Sequence, residues 1–500
     1  MKPDTVIRNG EIFDGKKLLG KADIAVQGDK ISQIGIVKAK GTTEIDASGL
    51  LVTPGFIDVH THATLHNLNN NNAANLIYQG VTSVVTGNCG FFEINSDYSN
   101  EVSSKEEIID LMQAFDKANP AINFATLVGH TSLRKFVLEG TQERPATQEE
   151  TAKLVELVEQ ALDMGAIGFS TGLMYNPGSF AKDAEIVSIL KKVAEKGKIY
   201  TTHMRNEDDQ VIESVDEALR HATDAQVKLQ ISHHKAVGRN NFGKVNTTLE
   251  MISNAQNQID VNTDSYVYNA GSARLDAIMP KEIFQEIKGD FSNITDLTKY
   301  VKTMAKKGKQ ELCENSWEDI IITSHKDKSL VGKTVYEIGN GKNLEETYFN
   351  LLKTDSEARA VFDNFVSNKD IETVVKQPYT MIASDGYLLD SKDRNMIHPR
   401  NYGNTSKFIS TYVNSGILSV EEGLRKLTSL PADTFGFTGR GRISTSSFAD
   451  IAIMNLENVK NVETMSEPYK LSEGMKYVIC NGQTIFNGEI TGRNGRFIKR

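Results

Sequence analysis

The chain has 500 residues and a formal net charge of −9, and 39% of its residues are hydrophobic. This diffuse acidic balance argues against nucleic acid or an anionic membrane as the main partner. No apolar run approaches the ~18 residues that a membrane helix needs. The first residues lack the apolar segment of a secretory signal, and three scattered cysteines do not form a disulfide framework. We therefore expect a soluble, globular, cytoplasmic protein.

The two ends of the chain have similar β-rich patterns. Residues 6–15 place Asn9-Gly10 between β-prone segments, and residues 478–488 repeat the arrangement around Asn481-Gly482. An Asn-Gly pair in this setting is a strong hairpin signal. The repeat leaves two interpretations open: two unrelated hairpins, or one composite β domain built from residues 1–52 and 440–500.

Strands alternate with helices between these ends. Helical stretches follow several of the apolar runs, and one of them begins with a capping box at Thr147 and Glu150. The alternation indicates a parallel sheet, and eight strands predict an α/β fold of the (β/α)₈ TIM-barrel type over residues 53–439. An open doubly wound sheet is disfavoured, because no Gly-x-Gly-x-x-Gly turn follows the first strand. The eight apolar runs are residues 55–59, 81–85, 124–128, 166–169, 199–202, 227–231, 259–261 and 379–383.

The interval between the seventh and eighth predicted strands is far longer than the ~2–6 residues of a usual connection. It extends roughly from residue 264 to residue 379 and contains helical patterns at 281–287, 297–306 and 344–354. We therefore predict an inserted subdomain or lid, placed at residues 284–352.

Candidate metal ligands collect where the predicted strands end, which is the active face of such a barrel. The first strand ends in His60-Thr61-His62, and alternate residues of a strand point to the same side. Imidazole, thiolate and carboxylate groups together suit Zn²⁺ or a similar divalent ion. Neighbouring residues of a strand point to opposite sides, so only one of the pair His233-His234 is expected to bind. The further strand-end candidates are Cys89, His130, His203 and Asp385.

Three other histidines, His66, His221 and His325, do not follow a predicted strand. We expect them on the solvated surface.

These motifs resemble those of the amidohydrolase superfamily, and within it the N-acyl-D-amino-acid deacylase (D-aminoacylase) family. The resemblance extends from about residue 3 to the C-terminus and is weakest in the inserted segment. Two positions depart from the family pattern, because Ala63 stands where an acidic residue is usual and Val267 where proline is usual. The segments that carry it, in order, are residues 54–62, 80–90, 127–130, 165–173, 202–207, 231–235, 384–386, 398–400, 428–432, 441–443 and 449–450.

The resemblance implies hydrolysis of the amide bond of N-acyl-D-amino acids to a carboxylate and a free D-amino acid. It implies one tight metal site, with Zn²⁺ the expected ion, held by Cys89, His203 and His233. A second, weaker position would be faced by His60, His62 and Asp385. The metal would polarise the amide carbonyl and activate a water molecule. Asp385 would act as general base and then as general acid, or as a plain metal ligand.

Recognition of the substrate needs a cation for its α-carboxylate. The planar guanidinium of Arg400 suits this task, and the alternative for Arg400 is a surface salt bridge. Weaker candidates for substrate contacts are Tyr266, Tyr268, Ser272, Lys235 and His130, the last with a structural role as its alternative.

Two other functions are alternatives to the hydrolysis of N-acyl-D-amino acids. Hydantoinases and dihydroorotases, which hydrolyse cyclic amides, typically bridge two metals with a carboxylated lysine on strand four. Ser170 occupies the corresponding position here and cannot form that ligand. A non-catalytic scaffold would be expected to have lost ligands or the strand-eight acid, and all of them are present.

Overall fold

The computed structural model describes residues 2–92, 105–140, 142–279, 281–287, 290–294, 297–304, 316–392 and 397–500. Cys313 and the end of the helix predicted at 297–306 lie outside these residues. The strands are β1 (Thr5–Phe13), β2 (Leu18–Gln27), β3 (Lys30–Gly35), β4 (Thr43–Asp46), β5 (Leu51–Pro54), β6 (Phe56–Asp58), β7 (Val81–Thr86), β8 (Asn123–Gly129), β9 (Gly168–Gly172), β10 (Ile199–His203), β11 (Lys228–Ile231), β12 (Val261–Ser265), β13 (Gly271–Arg274), β14 (Ile320–Ser324), β15 (Arg359–Phe362), β16 (Thr380–Ile382), β17 (Ile451–Met454), β18 (Met475–Cys480) and β19 (Gln483–Phe486).

The α-helices follow the strands of the middle region in the order that the sequence predicts. They are α1 (Leu65–Asn70), α2 (Ala74–Ile77), α3 (Lys105–Lys117), α4 (His130–Val137), α5 (Gln148–Asp163), α6 (Asp183–Glu195), α7 (Val211–Ala225), α8 (Val245–Ala255), α9 (Lys281–Ile287), α10 (Leu297–Thr303), α11 (Val335–Ile338), α12 (Leu344–Thr354), α13 (Asn368–Val375), α14 (Arg400–Phe408), α15 (Val420–Leu427) and α16 (Ser429–Phe435). None of the helices in the described part of the chain combines the length and apolar character needed to cross a bilayer.

The central sheet is a barrel of eight parallel strands. They are hydrogen-bonded in the order β6, β7, β8, β9, β10, β11, β12 and β16. Between β16 and β6 the backbone just beyond the strands completes the ring, because the amide of Asp385 donates to the His60 carbonyl (2.9 Å) and the amide of His62 to the Gly386 carbonyl (2.7 Å). The predicted barrel is confirmed, and it closes at three candidate ligands.

Apolar side chains fill the lower part of the barrel. Ile57, Val85, Leu127 and Ile199 from four strands, with Ile167 directly before β9, belong to one buried cluster. Polar residues follow at the carboxyl ends of the same strands, so the core separates the candidate ligands from the opposite end of the barrel.

The helices cover the outside of this barrel with their apolar faces. In α5, Leu154, Val158 and Ala161 are buried at the spacing of an amphipathic helix. Its capping box is formed as the sequence indicates, with Thr147 and Glu150 each satisfying the backbone of the other.

Both ends of the chain form one β sheet. Strand β5 pairs in parallel with β1 and antiparallel with β17, so the N-terminal strands continue into β17, β18 and β19. The composite β domain is therefore confirmed against two separate hairpins. Its limits at residues 52 and 440 stay predictions, because β5 continues almost directly into the first barrel strand.

An inserted subdomain lies between the seventh and eighth barrel strands, β12 and β16, as predicted. It has its own antiparallel sheet of β13, β15 and β14. It also has its own hydrophobic cluster, which extends from Leu275 to Phe362 and includes the buried Tyr348 and Phe349. The apolar cluster extends beyond residues 284–352 on both sides.

Candidate metal centre

Six residues from five barrel strand ends converge at one end of the barrel. The ligand atoms of His60, His62, Cys89 and Asp385 all lie within 4.8 Å of one another, and those of Cys89, His203 and His233 form a second such group. Cys89 belongs to both groups, with its Sγ 3.3 Å from His60 Nε2 and 3.6 Å from His233 Nε2. The structure thus brings together the six residues that the resemblance assigns to the two metal positions, and His130 is not among them.

A tight turn after β7 presents Cys89. Its backbone is left-handed, with φ of 55°, between Gly87 and Gly90 at φ of 78° and 80°. A side chain at position 87 would lie 2.2 Å from the Leu127 carbonyl oxygen, so this position requires glycine. Ser170 on β9 fastens the turn, because its hydroxyl donates to the Gly87 carbonyl and accepts from the Gly90 amide (3.1 Å). Ser170, at the position where hydantoinases typically have the carboxylated lysine, therefore supports the turn that presents Cys89.

The two neighbouring histidines after β11 have different surroundings. His233 adopts a left-handed backbone, with φ of 35°, and points into the cluster. His234 contacts the Thr248 hydroxyl on α8 through its Nε2 (2.9 Å). Burial lowers the pKa of His234 to about 4, so this ring is neutral. The structure therefore places His233 alone of the pair in the cluster.

The thiol and the carboxyl group of the cluster are both held in their anionic forms. Burial alone would raise the pKa of Cys89, but the charge of His60 beside it brings this pKa well below its ordinary value. Burial would likewise raise the pKa of Asp385, and Arg400 and His60 bring it well below its ordinary value. A buried thiolate beside a carboxylate is a ligand set for a cation.

Two acidic residues behind the histidines were not predicted as site residues. Asp264 Oδ1 lies 3.4 Å from His60 Nδ1 and accepts the backbone amide of His233 (2.8 Å). Glu207 Oε1 lies 2.8 Å from His233 Nδ1. Carboxylates in such positions orient ligating histidines. The position of Asp264 at the end of β12 would have identified it, since it follows the same strand-end rule as the ligands.

Two further unpredicted residues border the cluster. The Tyr175 hydroxyl lies 3.5 Å from His203 Nδ1, and the centres of the two rings are 4.8 Å apart. Asp58 is buried and accepts the backbone amides of His60 and Ser384, each at 3.1 Å. Asp58 therefore ties the first histidine to the segment that leads to Asp385.

Three predicted substrate contacts lie together beside the cluster. Arg400, the first residue of α14, has Nη2 2.9 Å from Asp385 Oδ2. Its guanidinium carbon lies 4.6 Å from the centre of the Tyr266 ring. Lys235 Nζ lies 5.7 Å from the same ring and 2.7 Å from the Glu207 carboxylate. Arg400 and Lys235 thus place two cations near the Tyr266 ring.

The other three predicted contacts have different partners. The Tyr268 hydroxyl donates to Glu463, and Ser272 lies on β13 of the inserted sheet, paired with Val361. His130 begins α4, and its Nε2 lies 2.8 Å from Glu185 on α6. These contacts favour the structural alternative for His130.

The expectation that three histidines lie on the surface is confirmed for His66 and wrong for the other two. His221 is 1% exposed because it lies on the inner face of α7, where its Nε2 lies 3.1 Å from Asp183. His325 is also 1% exposed, with its Nε2 3.3 Å from the Leu351 carbonyl oxygen in the inserted subdomain. His221 is buried by the packing of α7, and His325 by the packing of the inserted subdomain. A residue's distance from a strand end predicts neither.

The donor set fits a divalent metal ion of zinc type. It offers imidazole nitrogens, one thiolate and one carboxylate, the ligands that Zn²⁺ binds in proteins. In addition, the buried Nε2 of His203 has no hydrogen-bond partner among the described residues. A buried nitrogen left without a partner is costly, and coordination would satisfy it.

Comparison with known proteins agrees with this geometry. Residues 43–310 match the family model described as the amidohydrolase family. The chain is 31% identical to D-aminoacylase of Alcaligenes xylosoxydans xylosoxydans over 509 aligned residues, which cover 98% of this chain and 97% of the relative. The chain belongs to the amidohydrolase family.

Two further matches of this amidohydrolase are N-acyl-D-glutamate deacylases. The N-acyl-D-glutamate deacylase of the same organism is 30% identical, with 100% of this chain and 97% of the relative covered. In structure, the N-acyl-D-glutamate deacylase from Bordetella bronchiseptica, solved with zinc and a phosphonate inhibitor that mimics the tetrahedral intermediate, matches with a TM-score of 0.84 at 28% identity over 100% of both chains. The resemblance predicted from the motifs is confirmed, and the relatives belong to the predicted enzyme class, hydrolases of linear amide bonds.

Proposed function

We propose that this amidohydrolase hydrolyses N-acyl-D-amino acids to a carboxylate and a free D-amino acid. The observation that carries the proposal is the shared position of Cys89 in both ligand groups, directly beside the Asp385–Arg400 pair. This arrangement combines a metal site with a base and a carboxylate-binding cation. The names of the whole-length relatives support the same substrate class.

Zn²⁺ is the ion that we propose for the site. Cys89, His203 and His233 would hold the tight position, and His60, His62 and Asp385 would face a weaker second one. When bound, such an ion polarises the amide carbonyl and lowers the pKa of a water molecule. Glu207 orients the His233 ring, and Asp264 holds the backbone amide of His233 and faces Nδ1 of His60.

Asp385 is the proposed general base. Its Oδ1 lies 2.9 Å from His62 Nε2, and its Oδ2 faces Arg400, so the carboxylate is fixed at both oxygens. It takes a proton from the attacking water and returns it to the amine nitrogen as the amide C–N bond breaks. The products are the acyl carboxylate and the free amino group, and Asp385 regains its initial charge.

Arg400 is the proposed anchor of the α-carboxylate. Its Nε is buried and has no hydrogen-bond partner among the described residues, so at least one N–H is available. Tyr266 lies against the guanidinium and fixes its plane. Lys235 supplies a second positive charge near the same ring.

Tyr175 is a hydrogen-bond donor at the site. Burial, together with the negative charges of Cys89 and Glu207, raises the pKa of its phenol well above the ordinary value. The hydroxyl therefore stays protonated beside His203. We propose that it contacts the acyl part of the substrate.

The cyclic-amide alternative has less support. The Ser170 hydroxyl is occupied by the turn that carries Cys89, and nothing in the described cluster takes the place of a bridging lysine. The D-hydantoinase structure aligns with a TM-score of 0.59 at 17% identity, which shows a common fold alone.

The test is release of free amine by zinc-loaded protein from paired N-acetyl-D- and N-acetyl-L-amino acids, with dihydroorotate and a hydantoin in parallel. We expect release from the D series and no ring opening. Ring opening without cleavage of linear amides would contradict the proposal, and equal release from both series would contradict its stereochemical part.

A further inference from the structure

Glu463 lies behind the residue that we propose as the substrate anchor. It belongs to the connection between β17 and β18, is 6% exposed and packs against α14, the helix that begins at Arg400. A side chain at Gly403 on this helix would lie 2.1 Å from the Glu463 carboxyl carbon. The same connection contacts the helix again, where the Ser472 hydroxyl donates to the Tyr402 carbonyl (2.9 Å). Position 403 therefore requires glycine for Glu463 to reach across the helix.

The Glu463 carboxylate holds the Tyr268 side chain. It accepts the Tyr268 hydroxyl and, at 2.9 Å, the side-chain amide of Asn461. Its second oxygen is buried without a hydrogen-bond partner among the described residues. Lys407 Nζ lies 3.9 Å from the centre of the Tyr268 ring. A buried, incompletely satisfied carboxylate stabilises a fold little compared with apolar packing, which favours a function in orienting its neighbours.

Tyr268 in turn packs on the histidine next to Arg400. Its ring stands perpendicular to the His398 ring, at 89° and a centre distance of 5.4 Å. His398 Nε2 contacts the Ala270 carbonyl at 3.0 Å, and its Nδ1 accepts the backbone amide of Arg400, also at 3.0 Å. With Nε2 as donor and Nδ1 as acceptor, the ring connects the loop after β12, the seventh barrel strand, to the first residue of α14.

We propose that Glu463 is a positioning residue, which acts through Tyr268 and His398 to fix Arg400 for the substrate α-carboxylate. Contacts run without interruption from the composite β domain to the site: Glu463 to Tyr268, Tyr268 to His398 and His398 to Arg400. The inference rests on the proposed function of Arg400. It gives the β domain an influence on substrate binding that passes through Tyr268 and His398.

The experiment compares Glu463→Ala, Glu463→Gln and Tyr268→Phe with the wild type, using an N-acetyl-D-amino acid and zinc-loaded protein. We expect Glu463→Ala and Tyr268→Phe to raise KM about tenfold while kcat changes much less, because only the placement of the anchor is lost. Glu463→Gln retains an oxygen that accepts the Tyr268 hydroxyl and should restore most of the binding. Glu457→Ala, at an exposed glutamate earlier in the same connection, should have the KM of the wild type.

The same substitutions in an Arg400→Lys background decide whether Glu463 acts through Arg400. Coupled residues give non-additive effects, so Glu463→Ala should add little to the KM of Arg400→Lys. Effects that multiply would overturn the inference and leave Glu463 a structural residue. A normal KM for Arg400→Lys alone would instead contradict the proposed function of Arg400. Thermal unfolding of each variant identifies folding defects, and Tyr268→Phe, which removes only the hydroxyl, tests the inference if Glu463→Ala does not fold.

Discussion

Asp385 and Arg400 form a largely buried ion pair, with Oδ2 and Nη2 2.9 Å apart, through the carboxylate oxygen that does not face the histidines. The two oxygens of Asp385 therefore have different partners, because Oδ1 faces His60 and His62. It also brings the proposed base and the proposed substrate anchor into direct contact. A substrate carboxylate held by Arg400 would therefore lie close to Asp385, which must reach the scissile amide.

Asp385→Asn should nearly abolish amide hydrolysis while the tight metal site remains. Removal of a general base costs about 10² to 10⁴ in rate, and the amide of asparagine cannot take the proton. Cys89, His203 and His233 form a separate ligand group, so zinc content by elemental analysis should stay near one tight equivalent. Activity close to that of the wild type would show that Asp385 is not the base.

Cys89→Ala should lose the tight metal and, with it, the activity. The thiolate is common to both ligand groups, so its removal weakens both positions. The measurement is zinc affinity by competition with a chromophoric chelator, followed by activity across a zinc titration. Cys480→Ala is the matched control, because Cys480 is also a buried free cysteine and lies on β18 of the β domain. Equal zinc affinity in the two variants would contradict the assignment.

Ser170→Ala should lower zinc affinity without removing any ligand. The substitution leaves the Gly87 carbonyl and the Gly90 amide without their side-chain partner, so the turn that presents Cys89 loosens. Loss of such a supporting contact typically costs about 10- to 100-fold in metal affinity. Thr201→Val is the control, because Thr201 pairs with Ser170 in the barrel and its buried hydroxyl has no hydrogen-bond partner in the described structure. Unchanged zinc affinity in Ser170→Ala would argue against this supporting function.

The barrel and the central ligands could be predicted because both follow local rules. Apolar runs identify the strands, and polar residues that end them must meet at one face of a barrel. Asp264, near the end of β12, obeys the same rule: it faces His60 and accepts the backbone amide of His233.

The outer parts of the site could not be predicted in this way. Glu463 meets Tyr268 across 195 residues of sequence, and no spacing indicates that contact. The burial of His221 depends on the packing of α7 on its neighbours rather than on a strand end, so the strand pattern does not predict it. Long-range packing of single polar side chains therefore sets the limit of the sequence-based prediction.

Glu185 should make the stability of the enzyme depend on pH in the acid range. It is 4% exposed, and its Oε1 lies 2.8 Å from His130 Nε2 and 2.7 Å from Arg134 Nε. Burial would raise the pKa of Glu185, but His130 and Arg134 bring it down from an ordinary 4.5 to about 2. A lowered carboxyl pKa stabilises the folded state above the unfolded pKa, and this stabilisation is lost as the pH falls through the folded pKa. At neutral pH the shift corresponds to about 3 kcal/mol.

The measurement is the difference in thermal unfolding midpoint between the wild type and Glu185→Gln, taken from pH 7 down to the lowest pH at which both fold. We expect Glu185→Gln to be clearly less stable at pH 7, because the variant leaves the buried Arg134 guanidinium without its anionic partner. The difference should shrink below about pH 4.5, since the wild-type carboxylate then stabilises the folded state less and less. Glu195→Gln, at an exposed glutamate at the end of the same helix, should follow the wild type throughout. A deficit that stays constant with pH would show that the charge of Glu185 contributes nothing to the fold.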